Sequence, residues 1–187
     1  MVKSEKQYPS IGCCGIDCSL CPRYHTSGTS ICPGCGGPDF KEKHPSCGFL
    51  TCCVTKKGHE VCSACNEYPC KRFEPERKGY DSFVTHKKVF SNLDSIKKDG
   101  IGNFMKQQRI RSLILTDLLK NYDDGRSKSF FCLSCALLPV EQLQQVHRFI
   151  LTDKSTSDIK SKNKFIKNKL QTIADSLFIE LQLFHKK

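Results

Sequence analysis

The sequence predicts a mainly α-helical protein stapled at one end by a small, irregular, metal-binding module of zinc-knuckle type. Three observations carry that prediction. Twelve of the fourteen cysteines lie between Cys13 and Cys70. The same stretch is poor in large apolar residues, so hydrophobic burial alone does not hold it together. Beyond residue 80 cysteine almost vanishes, and Val, Ile, Leu and Phe recur at helical spacing instead. The 187 residues therefore divide into a cysteine-rich metal-binding module, residues 1–79, and a helical domain, residues 80–187.

The module must be cross-linked by disulfides or by metal, and spacing favours metal. Two cysteines two residues apart in a tight turn aim both sulfurs at one point, as a tetrahedral ion ~2.3 Å from each thiolate requires. Three such pairs occur: Cys18/Cys21, Cys32/Cys35 and Cys62/Cys65. The opening MVKSEKQYPSIG has no apolar signal core, and no run approaches the ~18–20 apolar residues of a membrane span. A cytoplasmic, reducing setting without a membrane partner is expected, where dense cysteine pairs mean metal.

Taken in order, residues 1–11 read as a polar lead-in. Cys14, Cys18 and Cys21 follow at C-x3-C-x2-C, a spacing also met in radical enzymes that hold an iron–sulfur cluster on three cysteines. The run of alternating strands and helices that such enzymes need has no counterpart downstream. RYHTSGTSI connects to CPGCG at Cys32, where Pro33 and Gly34 supply a turn. A loop leads on to Cys47, the doublet Cys52/Cys53 and a KKGHE turn before Cys62. His25, His44 and His59 read as solvated residues rather than ligands.

The candidate ligands are Cys14, Cys18, Cys21, Cys32, Cys35, Cys47, Cys53, Cys62, Cys65 and Cys70. Chain order places Cys18, Cys21, Cys32 and Cys35 on one ion and Cys47, Cys53, Cys62 and Cys65 on another. Cys14 or Cys70 could displace a member of either set, and a crossed pairing of Cys32/Cys35 with Cys62/Cys65 stands beside this partition. About two zinc ions are expected, each closed by four thiolates and hence structural rather than catalytic. The alternative cofactor is an iron–sulfur cluster on Cys14, Cys18, Cys21 and a distal cysteine, which would make the protein a redox carrier.

In the second half, Phe83, Val84, Phe90, Leu93 and Ile96 can share one face of a helix ending near Gly100. A longer helix carries Phe104, Met105, Leu113, Ile114, Leu118 and Leu119 and stops at Asp123-Asp124-Gly125. SFFCLSCALL, residues 129–138, is apolar almost throughout and is expected to be a buried helical stretch with Ser129 as N-cap. Its Cys132-x2-Cys135 lacks a turning Gly or Pro, so these thiols are expected to be buried and metal-free. Pro139 opens a helix with Val140, Leu143, Val146 and Ile150 inward. Ser157 should cap a last helix with Ile159, Ile166, Leu170, Ile173 and Leu177 inward, and the ending FIELQLF alternates like a short strand.

The formal charge of +11 supports weak attraction to anions. Residues 80–187 carry nineteen Lys and Arg against eleven Asp and Glu, so the basic character belongs to the helices. A basic nucleic-acid or protein interaction module is thus a further alternative. Yet Lys160, Lys162, Lys164, Lys167 and Lys169 lack interleaved aromatics that stack on bases, so any nucleic-acid binding is expected to be nonspecific and salt-sensitive. No Ser–His–acid set, paired carboxylate or phosphate-binding glycine loop can be picked out, leaving only a metal or a thiolate to support catalysis.

The run Cys14-Gly15-x-x-Cys18-x-x-Cys21-Pro22, then Cys32-x-Gly34-Cys35, Cys47, Cys53, Cys62-x-x-Cys65 and Tyr68-Pro69-Cys70 resembles the cysteine-rich family known as domain of unknown function 3795. Asp124-Gly125-Arg126-Ser127-Lys128-Ser129-Phe130 and Leu137-Leu138-Pro139 resemble the helical continuation of its longer members. The resemblance brings no activity. It favours Cys53 over Cys52 as a ligand and implies that Cys13, Cys52, Cys132 and Cys135 are additions in this chain.

Overall fold

A computed structural model describes residues 6–74, 79–152 and 158–185. The protein is mainly helical, with no strand among the described residues. Two compact units form: Met1–Met105 with Leu183–Lys187, and Lys106–Gln182. The division therefore falls some way past the boundary at 79/80 read from composition, and the reason lies in the packing of the first long helix.

Within the first unit each cysteine pair is set by one tight turn. Cys18–Leu20 and Cys62–Ala64 are single 3-10 turns, closed by Cys21 N–H on Cys18 C=O at 3.1 Å and Cys65 N–H on Cys62 C=O at 3.0 Å. Both closing cysteines leave in the same extended conformation, at φ −87°, ψ 135° and φ −87°, ψ 136°. Tyr24 and Tyr68 then each donate N–H to the carbonyl of the closing cysteine at 3.0 Å. The underlying sequence is Cys-Ser-x-Cys-x-x-Tyr at Cys18–Tyr24 and again at Cys62–Tyr68, one knuckle used twice.

The third pair is built differently. Gly34 holds φ +81°, and a Cβ there would meet the Pro9 carbonyl oxygen at 2.3 Å, so only glycine permits the approach. Cys35 N–H then donates to that same carbonyl at 2.8 Å. Short helical turns at Phe40–Lys43, Gly48–Leu50 and Thr51–Lys56 carry the chain from this knuckle to Cys53.

Helix α1, Val89–Asp99, supplies the apolar surface that the cysteine-rich stretch lacks. Val89, Leu93 and Ile96 join Ile11, Val54, Val61 and Phe73, with Phe104 and Met105, in one buried cluster that also contains Cys13, Cys35, Cys53 and Cys62. Composition separates these segments, but burial unites them. At the contact, Asn92 is buried and donates through Nδ2 to the Gly15 carbonyl at 2.9 Å and to Asp17 Oδ2 at 3.0 Å. Gly15 sits at φ +96°, where a Cβ would lie 2.5 Å from the Val89 carbonyl oxygen. The helix and the Cys14–Cys18 loop are therefore in backbone contact. Phe83 and Val84 precede α1 instead of joining its face, and Phe83 is exposed. The helix ends as expected, with Gly100 at φ +82° and its N–H on Ile96 C=O at 3.0 Å. Near the C-terminus, Phe184 and Asp81 exchange hydrogen bonds, Asp81 N–H to Phe184 C=O at 2.7 Å and Phe184 N–H to Asp81 Oδ2 at 2.8 Å.

Helix α2, Ile101–Tyr122, runs on into the second unit, followed there by α3, Lys128–Leu137, α4, Val140–Thr152, and α5, Ile159–Ser176. Ile114, Leu115, Leu118, Phe131, Leu138, Leu143, Val146, Ile166 and Leu170 are its buried core. Leu113 is exposed and Leu115 takes the inward place expected of it, while Ile159 and Leu177 at the two ends of α5 are also exposed. The end of α3 is satisfied by Arg111, whose Nη1 donates to the carbonyls of Cys135 at 2.6 Å and Leu138 at 2.7 Å. The N-cap of α3 is Ser127 rather than Ser129. Ser157, expected to cap α5, lies outside the described residues; the cap is Asp158, which accepts from Lys160 N–H at 2.9 Å and Ser161 N–H at 3.2 Å.

The alternating ending is not a strand because α5 terminates in a Schellman motif. Phe178 takes the left-handed position at φ +55°, with its N–H on Asp175 C=O at 3.2 Å and Ile179 N–H on Ala174 C=O at 2.8 Å. A bulky residue is strained there, and Phe178 is 98 % exposed, so its ring offsets nothing by packing. Phe178→Gly should accordingly raise stability by about 1 kcal/mol, read as a higher urea midpoint at unchanged slope. A lower midpoint would show that the left-handed conformation is not the one populated.

Candidate metal centre

The cysteines meet in the first unit, and Cys13 is the junction. Its N–H donates to Cys35 Sγ at 3.4 Å, while its carbonyl accepts from Cys62 N–H at 2.8 Å. One backbone residue thus bridges the Cys32/Cys35 and Cys62/Cys65 knuckles. The side chain of Cys13 is fully buried, and its Sγ lies with those of Cys53 and Cys62 in a group whose members are all within 4.8 Å of one another. Cys35, whose Sγ accepts the Cys13 N–H, stands beside this group of three. Such a group can hold a metal ion.

The electrostatics of this set follow from proton sharing. Hydrogen bonding to Cys35, then to Cys53 and Cys62, together with burial, drives the Cys13 thiol far above its ordinary pKa. The same bonds pull the acceptors down: Cys53 falls well below an ordinary thiol and Cys35 falls too, each chiefly because Cys13 donates to it. Cys62 is raised; its bond with Cys13 pulls downward, but Cys53 and burial outweigh it. Buried thiols this close resist ionising together, a condition that a cation relieves.

A buried cation already stands beside them. The side chain of Lys6 is fully buried, its Nζ 2.9 Å from Glu60 Oε1, and its charge lowers both Cys35 and Cys53. Glu60 also accepts from the amides of Gln7 at 3.0 Å and Tyr8 at 2.9 Å. Burial alone would raise the Glu60 carboxyl, but Lys6 and these two amides hold it below the usual carboxylate range. Residues 6–8 of the segment that reads as a polar lead-in are therefore clamped to Glu60. Lys6→Met should destabilise the first unit by ~1–3 kcal/mol, less than for a fully buried pair because Glu60 stays partly hydrated. In urea titrations the double variant Lys6→Met/Glu60→Gln should recover part of that loss; strictly additive losses would show the pair to be uncoupled.

The remaining cysteines flank this set on two sides. Cys14, Cys18, Cys21, Cys32 and Cys47, with Cys35, line a cavity of about 230 Å³ whose other walls include Ile16, Phe40, Phe83 and Val84. His44 and His86 stand at the same cavity, and His86 shares a hydrogen bond of 3.1 Å between its Nε2 and Ser82 Oγ. Cys52, Cys53, Cys62, Cys65 and Cys70 line a second, much smaller cavity of about 30 Å³. There Lys57 Nζ donates to Cys65 Sγ at 3.2 Å and pairs with Glu67 at 2.6 Å.

The first set of the chain-order partition, Cys18, Cys21, Cys32 and Cys35, lines one cavity together, and of the second set only Cys47 stands apart from Cys53, Cys62 and Cys65. Cys47 lies with Cys14, Cys18, Cys21 and Cys32, and Cys35 reaches across to Cys13. The crossed pairing is met only halfway, since Cys35 and Cys62 share Cys13 while Cys32 and Cys65 face different cavities. Of the Cys52/Cys53 doublet, Cys53 is the buried member at the junction. Cys132 and Cys135 are buried in α3 and belong to no such group among the described residues. Of the histidines, His25 Nε2 is hydrogen-bonded to the Ser19 carbonyl at 2.7 Å. Spacing rules passed over Cys13, His86, Lys6 and Glu60. Only the Cys13/Cys14 doublet offered a signal, because a doublet can place one sulfur on each side of the backbone.

Comparison of this chain with family models, with curated proteins and with solved structures found no match.

Proposed function

We propose that this is a structural zinc protein whose ion is held by Cys13, Cys35, Cys53 and Cys62. The convergence of three buried thiols, Cys13, Cys53 and Cys62, carries the reading, and Cys35, whose Sγ accepts the Cys13 N–H, is the candidate for the fourth place. Zinc is suited by thiolate-only donors in a tetrahedron, whose sulfurs stand roughly 3.8 Å apart at the usual bond length. The separation within 4.8 Å found for Cys13, Cys53 and Cys62 is of that order. When bound, the ion would replace the shared protons with one divalent charge, and buried Lys6 would offset part of the remaining negative charge.

A site closed by four thiolates has no open position for substrate, so its role is to join chain segments. The ligands come from Cys13, the Cys32/Cys35 knuckle, the Cys53 turn and the Cys62/Cys65 knuckle, and all four belong to the core that α1 completes. No helix among the described residues is long and apolar enough to cross a membrane. Thiol ligation suits a reducing compartment, which supports a cytoplasmic setting.

Elemental analysis of the untagged full chain tests the reading. About one zinc per chain should belong to this set, and Cys62→Ser should lose it. A Cys62→Ser protein that keeps its full zinc content would exclude these four residues as the site.

A further inference from the structure

Helix α5 carries five lysines and no acidic residue between Ile159 and Ala174. The expectation that these lysines lack aromatic company does not hold in the fold. We infer that the groove between α4 and α5 binds single-stranded nucleic acid, with a base stacked on Phe165 and phosphates met by Lys162 and Lys169. This concerns the second unit and does not depend on the zinc reading.

Phe165 itself stands among the lysines, and folding adds rings from two neighbouring helices. Phe149 of α4 lies against Phe165, with ring centroids 5.4 Å apart and planes inclined by 32°. Lys169 Nζ lies over the Phe149 ring, 5.0 Å from its centroid, and Lys167 Nζ lies over Phe130 of α3 at 5.2 Å. Helical spacing puts Lys162, Phe165 and Lys169 on one face of α5, so a cation stands one turn before the ring and another one turn after it. Phe165 is 52 % exposed, an unusual place for a large apolar ring unless something covers it. The same face opens into a groove of about 640 Å³, lined by Phe149, Phe165 and Lys169 together with the amide side chains of Gln142, Gln145 and Asn168.

Charge and ring together select the occupant. A single strand alternates anionic phosphates with bases whose flat faces lie open, and stacking on an aromatic side chain accepts any base because each has a π-face. Cation, ring and cation along one face of α5 match that alternation. No acidic residue lines the groove among the described residues, so its charge is complementary to phosphate throughout. The amides can both donate to and accept from base edges. A duplex keeps its base faces in the stack and would leave Phe165 uncovered. A peptide of Asp and Glu would use the lysines but has no flat face to lay on the ring. A membrane surface would need an apolar helix face to insert, and that of α5, Ile166 and Leu170, is fully buried in the core.

The test is fluorescence anisotropy of the full chain with a labelled oligouridine of about twelve nucleotides, titrated from about 50 mM salt upward. The single strand should bind more tightly than an RNA duplex of the same length. Phe165→Ala should weaken binding by about tenfold, the loss of one stacked base, while Phe165→Tyr, which keeps a ring, should retain it. Lys162→Gln should lower the slope of log affinity against log salt by about 0.7, one phosphate contact on a single strand. Should Phe165→Ala fail to fold, as read by far-ultraviolet circular dichroism, Phe165→Leu keeps the apolar bulk without a π-face and should show the same loss. Absence of binding by the unsubstituted chain at about 50 mM salt would overturn the inference. Equal affinity for the duplex, or unchanged affinity in Phe165→Leu, would do so too, since lysines alone would then account for the attraction. Displacement of the oligonucleotide by a polyglutamate peptide at equal concentration would likewise overturn it and make the groove an acidic-peptide site.

Discussion

Cys13→Ser should release the zinc and unfold the first unit, although spacing alone gives Cys13 no role. Structural zinc contributes ~10–16 kcal/mol of apparent binding free energy in small thiolate sites, as much as the ~5–15 kcal/mol that separates most folded domains from their unfolded chains. A serine hydroxyl does not ionise near neutral pH and cannot take the place of the sulfur. The matched control is Cys132→Ser, whose thiol is as deeply buried but lies in helix α3. There the change leaves a buried hydroxyl, at a cost of ~1–3 kcal/mol at most, and removes no metal. Zinc content and thermal unfolding of both variants decide the matter. Equal destabilisation with full zinc in each would reduce Cys13 to an ordinary core residue.

Why Cys13 was hidden, while the helices were not, has a physical explanation. Helical periodicity is a local property: Leu143, Val146 and Ile150 fall on one face whatever they pack against, and all three are buried. The same holds for Leu93 and Ile96 of α1. Periodicity does not name the partner, however, and the partner of α1 is the cysteine module, so the boundary moved to 105/106. The proposed metal set is nonlocal from the outset. Cys13, Cys35, Cys53 and Cys62 each come from a different turn, and the bonds that unite them are backbone contacts such as Cys62 N–H on the Cys13 carbonyl. Spacing reveals that knuckles exist, and their two-fold use is written in Cys-Ser-x-Cys-x-x-Tyr; which knuckle meets which is decided by the fold. The lost strand makes the converse point. FIELQLF alternates, but the hydrogen bonds that close α5 fix Phe178 in a conformation no strand contains.

Chelation of metal from the full chain should open α1 together with the module and leave α3, α4 and α5 closed. Helix α1 has eleven residues, below the ~12–15 at which even favourable isolated helices persist in water. Its buried face, Val89, Leu93 and Ile96, packs into the cluster that contains the four proposed ligands, and Asn92 is anchored to the Gly15 carbonyl and Asp17 between ligating turns. Without the ion those turns lose their cross-link and α1 loses both its apolar partner and its anchor. The second unit has its own core, Ile114, Leu118, Phe131, Leu143, Ile166 and Leu170, and its end-caps come from Arg111 and Asp158 rather than from sulfur. Hydrogen exchange read peptide by peptide should therefore show amides of 89–99 exchanging at the rate of the cysteine turns, while those of 128–137 and 159–176 stay protected. Protection of 89–99 surviving in chelator would mean that α1 is held by something other than the metal-bound turns. Simultaneous loss across both units would mean that the ion supports the whole chain, because only a cooperative unit exchanges as one.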